Sequence, residues 1–199
     1  ERLFDAIEAG AVAATDIPPV RRSLLLKSPD PAIKARAEKL FGSEATPAAR
    51  REVIARYRAA LDSPASPDAG RAVFTRECAN CHRLGGAGSD VGPALITVRA
   101  RTPAEILEHI LDPNREVSPH YIEYVVLQVD GVIKTGAIAA ETPTSITLRQ
   151  PQAKQETVLR SEIETVTSSG KSLMPEGLDQ KVSMEEMRDL IEYVRTAAQ

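Results

Sequence analysis

Cys78-Ala79-Asn80-Cys81-His82 is the stretch from which the rest of this 199-residue chain is read. The chain holds two cysteines, and both fall here, three positions apart, with a histidine directly after the second. That pattern, Cys-x-x-Cys-His, is the attachment signature of a c-type haem. Two thiols one helical turn apart can each form a thioether with a haem vinyl group, and the adjacent imidazole then falls beneath the iron as an axial ligand. Three other chemistries use part of the pattern. A thioredoxin-like redox pair wants a preceding strand in a βαβ setting, whereas residues 69–77 read as helix. A zinc site would need a second ligand pair, and His109 and His120 would have to supply it. A plain disulfide would leave His82 without a role.

Composition narrows the partners. A net charge of −3 and a pI near 5.7 give no basic footprint for nucleic acid. No apolar run approaches the ~20 residues of a membrane span, so a soluble chain is expected. The sequence begins at Glu1 and carries no signal-peptide pattern, which reads as a mature chain or a piece of a longer one. Haem attachment of this kind is made outside the cytoplasm in bacteria. A periplasmic or otherwise exported protein is therefore expected, with its export signal upstream. Aromatic residues make up 4% of the chain and Trp is absent, a thin supply for a core that a covalently held porphyrin would supplement.

Residues 1–62 read as short helices joined by proline-rich turns. Leu3, Phe4 and Ile7 share one face, Pro18-Pro19 opens a second helix, and Ser28-Pro29-Asp30-Pro31 breaks and caps before Ala32–Phe41. Gly42 is expected to stop that helix and Thr46-Pro47 to start another, with Val53, Ile54, Tyr57 and Leu61 inward and its arginines on a solvated face. Such a run resembles the last turns of an α-helical repeat array. Residues 63–68 read as a linker. Beyond it, Gly70, Phe74 and Cys78 lie four apart on one helix face. Near the other terminus Ser183 and Glu186 form a capping box for a helix whose stripe is Met184, Met187, Leu190, Ile191 and Val194. A glycine at 70 allows a close helix crossing, which Phe74 and Tyr193 would lock.

Gly70-x-x-x-Phe74-x-x-x-Cys78-x-x-Cys81-His82, with Leu190-x-x-Tyr193 on the last helix, resembles the crossed terminal helices of class I cytochromes c. Gly92-Pro93 is similar to the glycine-proline of that family whose proline carbonyl accepts the Nδ1–H of the proximal histidine, which fixes the tautomer. The stretches Val91-Gly92-Pro93, Ile106 to Arg115, Tyr121-x-x-Tyr124 and Ser172-Leu173-Met174-Pro175-Glu176-Gly177-Leu178 are similar to the haem-binding domains of Planctomycetes and Verrucomicrobia. Those domains often stand at the C-terminus of large dehydrogenase-like proteins, after a helical-repeat segment. Ala94-Leu95 departs from their pattern, in which an acidic residue follows the Gly-Pro.

The interval from His82 to Met174 is far longer than a small cytochrome c needs, and its middle is strand-like. Tyr121–Val129, Val132–Ala140, Ser145–Arg149, Glu156–Arg160 and Glu162–Thr167 read as five short strands, with Asp130-Gly131 a hairpin turn and Gly136 a bulge or bend. A small, strongly bent sheet or SH3-like barrel is expected, inserted into the cytochrome fold. The fold class is thus mainly α with a β insert, α+β overall. The expected division is a helical segment at 1–62, a cytochrome c domain at 69–117 and 170–199, and an inserted β domain at 118–169. The insert is expected to serve as a docking or homodimerisation module, or as a purely structural element.

The second axial position has few candidates. Met184 and Met187 belong to the stripe of the last helix and read as core. Met174 precedes a proline in a polar loop just before that helix, where class I cytochromes c carry their distal methionine. His109 reads as a helix-surface histidine, and His120 as a minor alternative ligand. The cofactor set is therefore Cys78, Cys81, His82, Pro93 and Met174, with His82 and Met174 on the iron. Walls are expected from Phe74, Leu84, Pro93, Leu95, Val98, Ile106 and Leu173, and a propionate partner in Arg99 or Arg101. With both axial positions filled, the expectation is one-electron transfer without enzymatic chemistry, between a dehydrogenase-type donor and a redox acceptor. The alternative is a haem-based gas or redox sensor with an open or displaceable distal site.

Overall fold

The computed structural model describes residues 2–12, 14, 17, 19–41 and 47–197. The expected helix stop at Gly42 and the start at Thr46 lie outside them, as does Pro18. Helices α1 (Arg2–Glu8), α2 (Pro19–Leu26) and α3 (Pro31–Phe41) form as the apolar spacing implies. Asp30 begins α3 by accepting the Ala32 amide at 2.8 Å, which satisfies one of the amides a helix start leaves unpaired. These helices bury Phe4, Ile7, Ile17, Ala37 and Phe41 against each other. Arg36 covers the cluster, its guanidinium 5.1 Å from the Phe4 ring centroid and 2.7 Å from both Asp5 and Glu8.

Helix α4 (Pro47–Arg58) shares a different core. Its Tyr57 is buried with Val73, Phe74, Leu107, Leu190 and Ile191, and Val53, Ile54 and Leu61 pack against that cluster. The Tyr57 hydroxyl proton is shared between the carbonyls of Asp179 and Val182, at 2.8 and 2.7 Å. Removing that hydroxyl leaves two carbonyls short of a donor in a dry place. Tyr57→Phe is therefore expected to cost about 1.5 kcal/mol in urea unfolding, while leaving the helix content unchanged by circular dichroism.

Two helices frame the motif. Helix α5 (Pro67–Val73) starts at Ser66, whose side chain accepts the Ala69 amide. Helix α7 (Met184–Thr196) opens on the expected Ser183–Glu186 capping box, and α6 (Pro103–Leu111) on a second box, Thr102–Glu105. Helices α5 and α7 cross at Gly70. A Cβ added there would stand 1.9 Å from the Asp189 carbonyl oxygen and 2.8 Å from the Tyr193 Cβ. Below the crossing, the Phe74 and Tyr193 rings meet with centroids 5.7 Å apart and planes tilted 50°, an attractive aromatic arrangement. Met187 is fully buried and Met184 packs beside it, as core residues.

The β region supplies a two-stranded hairpin, β1 (Arg83–Leu84) with β2 (Ala87–Gly88), and a separate five-stranded antiparallel sheet. The sheet strands are β3 (Ile122–Gln128), β4 (Ile133–Glu141), β5 (Ser145–Arg149), β6 (Gln155–Leu159) and β7 (Ile163–Ser172), in the order β6-β5-β4-β3-β7. All five expected strands are present, and their apolar face is Val126, Ile146, Leu148 and Val158. The expected barrel is not. The chain leaves β6 through a 3-10 turn at Arg160–Glu162, and its next strand pairs with β3, so the sheet keeps two open edges. Nor is Gly136 the bulge: the register shifts between Ile138 and Ala140 instead. What requires glycine at 136 is the Arg149 carbonyl oxygen, which would lie 2.7 Å from a Cβ. The architecture is α+β.

Candidate functional site

The helix entering Cys78 does not continue as regular α-helix. Phe74–Cys78 is a single π-helical turn, closed by the Ala79 amide donating to the Phe74 carbonyl five residues back at 2.9 Å. Such turns insert one extra residue into a helix and recur at functional sites. The motif then winds tightly, with the Cys81 and His82 amides both donating to the Cys78 carbonyl at 3.0 and 2.9 Å. Neither cysteine forms a disulfide.

Burial sets the electrostatics. It pushes the Cys78 thiol up to about 12, helped by neighbouring Glu77, and raises Cys81 as well. Reactive redox pairs need the opposite shift, a depressed thiol pKa. Among the described residues no three His, Cys, Asp or Glu side chains are gathered so as to hold a metal ion. His109 and His120 therefore do not complete a zinc site with the cysteines. His109 Nε2 stands 2.8 Å from Arg101 Nη1, and the His120 carbonyl accepts from Arg149.

His82 is held on three sides. Its Nδ1 lies 2.8 Å from the Pro93 carbonyl oxygen. A carbonyl can only accept, so Nδ1 carries the proton and the lone pair is left on Nε2. Burial lowers the imidazole's pKa, partly offset by the Pro93 bond, and so favours the neutral, ligating form. Gly92 lies flat against the ring: a Cβ there would be 2.6 Å from His82 Cε1 and 2.9 Å from Nδ1. The loop that presents Gly92-Pro93 is itself bonded to the motif, with the Val91 and Gly92 amides donating to the Cys81 carbonyl at 3.0 and 2.7 Å. The site is thus a pair of unbridged thiols beside an imidazole of fixed tautomer. Those are the groups that covalent haem attachment and axial ligation need.

Met174 packs against the same apolar cluster as Cys78, Ala79, Leu95 and Val98. Of the expected wall residues, Phe74, Leu84 and Ile106 are buried in that cluster. The expected propionate partners are engaged elsewhere, Arg99 Nε on the Arg195 carbonyl at 3.0 Å and Arg101 on His109.

Three residues that fix the Met174 loop carried no role in the sequence reading. Asn114 donates to Glu176 and accepts the Ser172 amide, both at 2.8 Å, and so clamps the loop on either side of Met174. Ser172 Oγ accepts the Met174 amide at 3.1 Å. Arg50, expected on a solvated face, is turned inward: Nη1 donates to the Leu111 carbonyl at 2.8 Å and Nη2 lies 3.5 Å from Glu176. It caps the end of α6, where unpaired carbonyls favour a cation. The Asp112-Pro113-Asn114-Arg115 stretch signalled a helix end but not what Asn114 would hold.

In comparison with known families, residues 65–122 match the family described as cytochrome C oxidase, cbb3-type, subunit III. The match covers well under half of the chain and links its motif region to a cytochrome-related family. No curated protein gives a significant match to the chain.

Proposed function

We propose that this chain is a c-type cytochrome module that carries one covalent haem c and passes single electrons. The observation that carries the proposal is the hydrogen bond from His82 Nδ1 to the Pro93 carbonyl inside a Cys-x-x-Cys-His loop. Cys78 and Cys81 would hold the group by thioethers, and His82 Nε2 and the Met174 thioether would ligate its iron. When bound, haem c supplies a one-electron ferric/ferrous couple. The residues supply the rest. Pro93 keeps the proton on Nδ1 and raises the basicity of Nε2, while Phe74, Leu84 and Ile106 exclude water. The domain division fits residues 69–117 and 170–199 as the cytochrome, with 118–169 inserted and the helices of 1–62 ahead of it. With His82 and Met174 both on the iron, no ligand position would remain for a substrate, and the role proposed is non-enzymatic. The donor class is a dehydrogenase, in the same polypeptide or separate, and the compartment is periplasmic or otherwise exported. Among the described residues no helix is long and apolar enough to cross a membrane.

The test is the chain produced with a haem-attachment system. It should be red and keep its haem after denaturation, and Cys78→Ala with Cys81→Ala should abolish that retention. Met174→Ala is expected to remove the weak far-red charge-transfer band of the ferric protein and to open the ferrous protein to carbon monoxide. If the unsubstituted protein already lacks the band and binds carbon monoxide readily, the electron-transfer reading gives way to a sensor with an open distal site. A colourless chain sinks both.

A further inference from the structure

Asn80, between the two cysteines, spends its carbonyl on no neighbour within the motif. Its partner is 72 residues away in sequence: the Gln152 amide donates to the Asn80 carbonyl at 2.6 Å, and Gln152 Nε2 lies 3.5 Å from Asn80 Oδ1. Gln152 sits in the five-residue turn between β5 and β6. That turn is built with unusual backbone: Gln152 (φ 61°) and Ala153 (φ 57°) are both left-handed, and neither is glycine. Each such residue is strained and persists where surrounding contacts over-determine it. Those contacts are present. The Gln150 amide donates to the Lys154 carbonyl at 2.8 Å, closing the turn, and Gln150 Nε2 donates to the Thr135 carbonyl at 3.0 Å on β4. Beside it, the Arg149 guanidinium stacks 5.8 Å from the Tyr121 ring centroid and donates to the His120 carbonyl. A braced, strained turn pointing one amide at one carbonyl of the motif is costly to build if the sheet is only filler.

We infer that the β5–β6 turn of the insert is a latch on the Cys78–His82 loop, with Gln152 a positioning residue that acts through Asn80 on the orientation of His82. The inference rests on the haem reading for its redox consequence but not for the latch itself. The route is short. The Asn80 carbonyl belongs to the peptide whose amide nitrogen is that of Cys81, and that amide and the His82 amide both hang from the Cys78 carbonyl. Fixing the Asn80 peptide plane therefore fixes the turn from which His82 projects toward Pro93. The insert would in this way give the motif a rigid outer support that its local hydrogen bonds alone do not provide.

The experiment uses the full haem-loaded chain with residues 150–154 replaced by Asn-Gly, a two-residue turn that closes a hairpin without reaching the motif. Two readouts are required together. Amide exchange at residues 79–82 should accelerate roughly tenfold. The midpoint potential should shift by about 28 mV, the one-electron equivalent of a threefold change in ferric-to-ferrous stabilisation at about 59 mV per tenfold. Unchanged exchange overturns the latch. Accelerated exchange with an unchanged potential reduces the contact to scaffolding and overturns the positioning role. If the shortened hairpin loses its strand signal, a three-residue turn, Glu-Asn-Gly with glycine at the left-handed position, replaces residues 150–154 instead, since it too removes the Gln152 amide while closing the hairpin by another common loop. Exchange faster by roughly tenfold is again expected, and wild-type rates overturn the inference. A chain that takes up no haem defeats the function proposed above, and the exchange comparison alone then decides the latch.

Discussion

Gly70→Ala should destabilise the chain by about 3 kcal/mol, near the upper end of what a small-to-large change in a packed core costs. The new methyl would meet the Asp189 carbonyl oxygen at 1.9 Å and its carbon at 2.5 Å. Both are backbone atoms in the middle of α7, so no side chain can rotate away. Relief requires α5 and α7 to separate, and that separation would loosen three further contacts. These are the Phe74–Tyr193 ring pair, the Ser66 amide on Asp189 Oδ1 at 2.9 Å, and the packing around buried Leu190. For a chain of this length the loss corresponds to a fall in Tm of about 6–12 °C. Thermal unfolding measures it. Ala72→Ser, on the exposed side of the same helix, should stay within about 0.5 kcal/mol of the parent. A Gly70→Ala protein that melts with the parent would show that the two helices do not cross at this glycine.

Glu123→Gln should abolish a pH dependence worth about 3 kcal/mol at its limit. Glu123 is 5% exposed on β3, and its Oε2 has no hydrogen-bond partner among the described residues. It faces the irregular part of β7, where the pairing passes from Ser168 to Ser172 while β3 advances from Tyr124 to Ile122. Burial raises its carboxyl from an ordinary 4.5 to about 7, and the charge of Lys171 only partly opposes this. The folded state therefore binds a proton that the unfolded chain releases. Its contribution is complete below pH 4.5 and is lost progressively as pH rises toward 7, above which it is absent. His82, whose pKa is lowered by burial, acts with the opposite sign. The informative quantity is accordingly the difference between parent and variant. Urea unfolding at pH 5, 6, 7 and 8 should show the variant gaining on the parent by about 2.5 kcal/mol across that range. A constant difference would mean that Glu123 is hydrated or paired.

Most of the secondary structure was legible from local chemistry. Ser183 with Glu186, and Asp30 after Ser28-Pro29, are caps that act within one turn, so spacing suffices to locate them. The five strands were legible because β-branched residues alternate between polar turns. Closure of the sheet was not, since it depends on which distant strand β7 joins. Alternation looks the same in an open sheet and a barrel. The π-turn at Phe74–Cys78 also left no mark, because the helix ends with it and no following turn exists on which a shifted spacing could be read. Arg50 was misread for a related reason: an arginine on a polar helix face looks solvated until another helix end arrives beside it.

By itself, the sequence determined the chemistry available at Cys78–His82, since thiols and imidazole at that spacing are a property of the covalent chain. It also determined that α5 could cross a helix closely, because only the residue at 70 lacks a side chain there. The tertiary structure decided what that chemistry is poised to do. It placed the Pro93 carbonyl on His82 Nδ1, partly buried both thiols and so raised their pKa values, and tied the Met174 loop to Asn114 and Arg50. It also brought Gln152 to Asn80. Each of these is a hydrogen bond or a desolvation between groups distant along the chain. Such terms depend on distance in space, for which the order of residues carries no local signal.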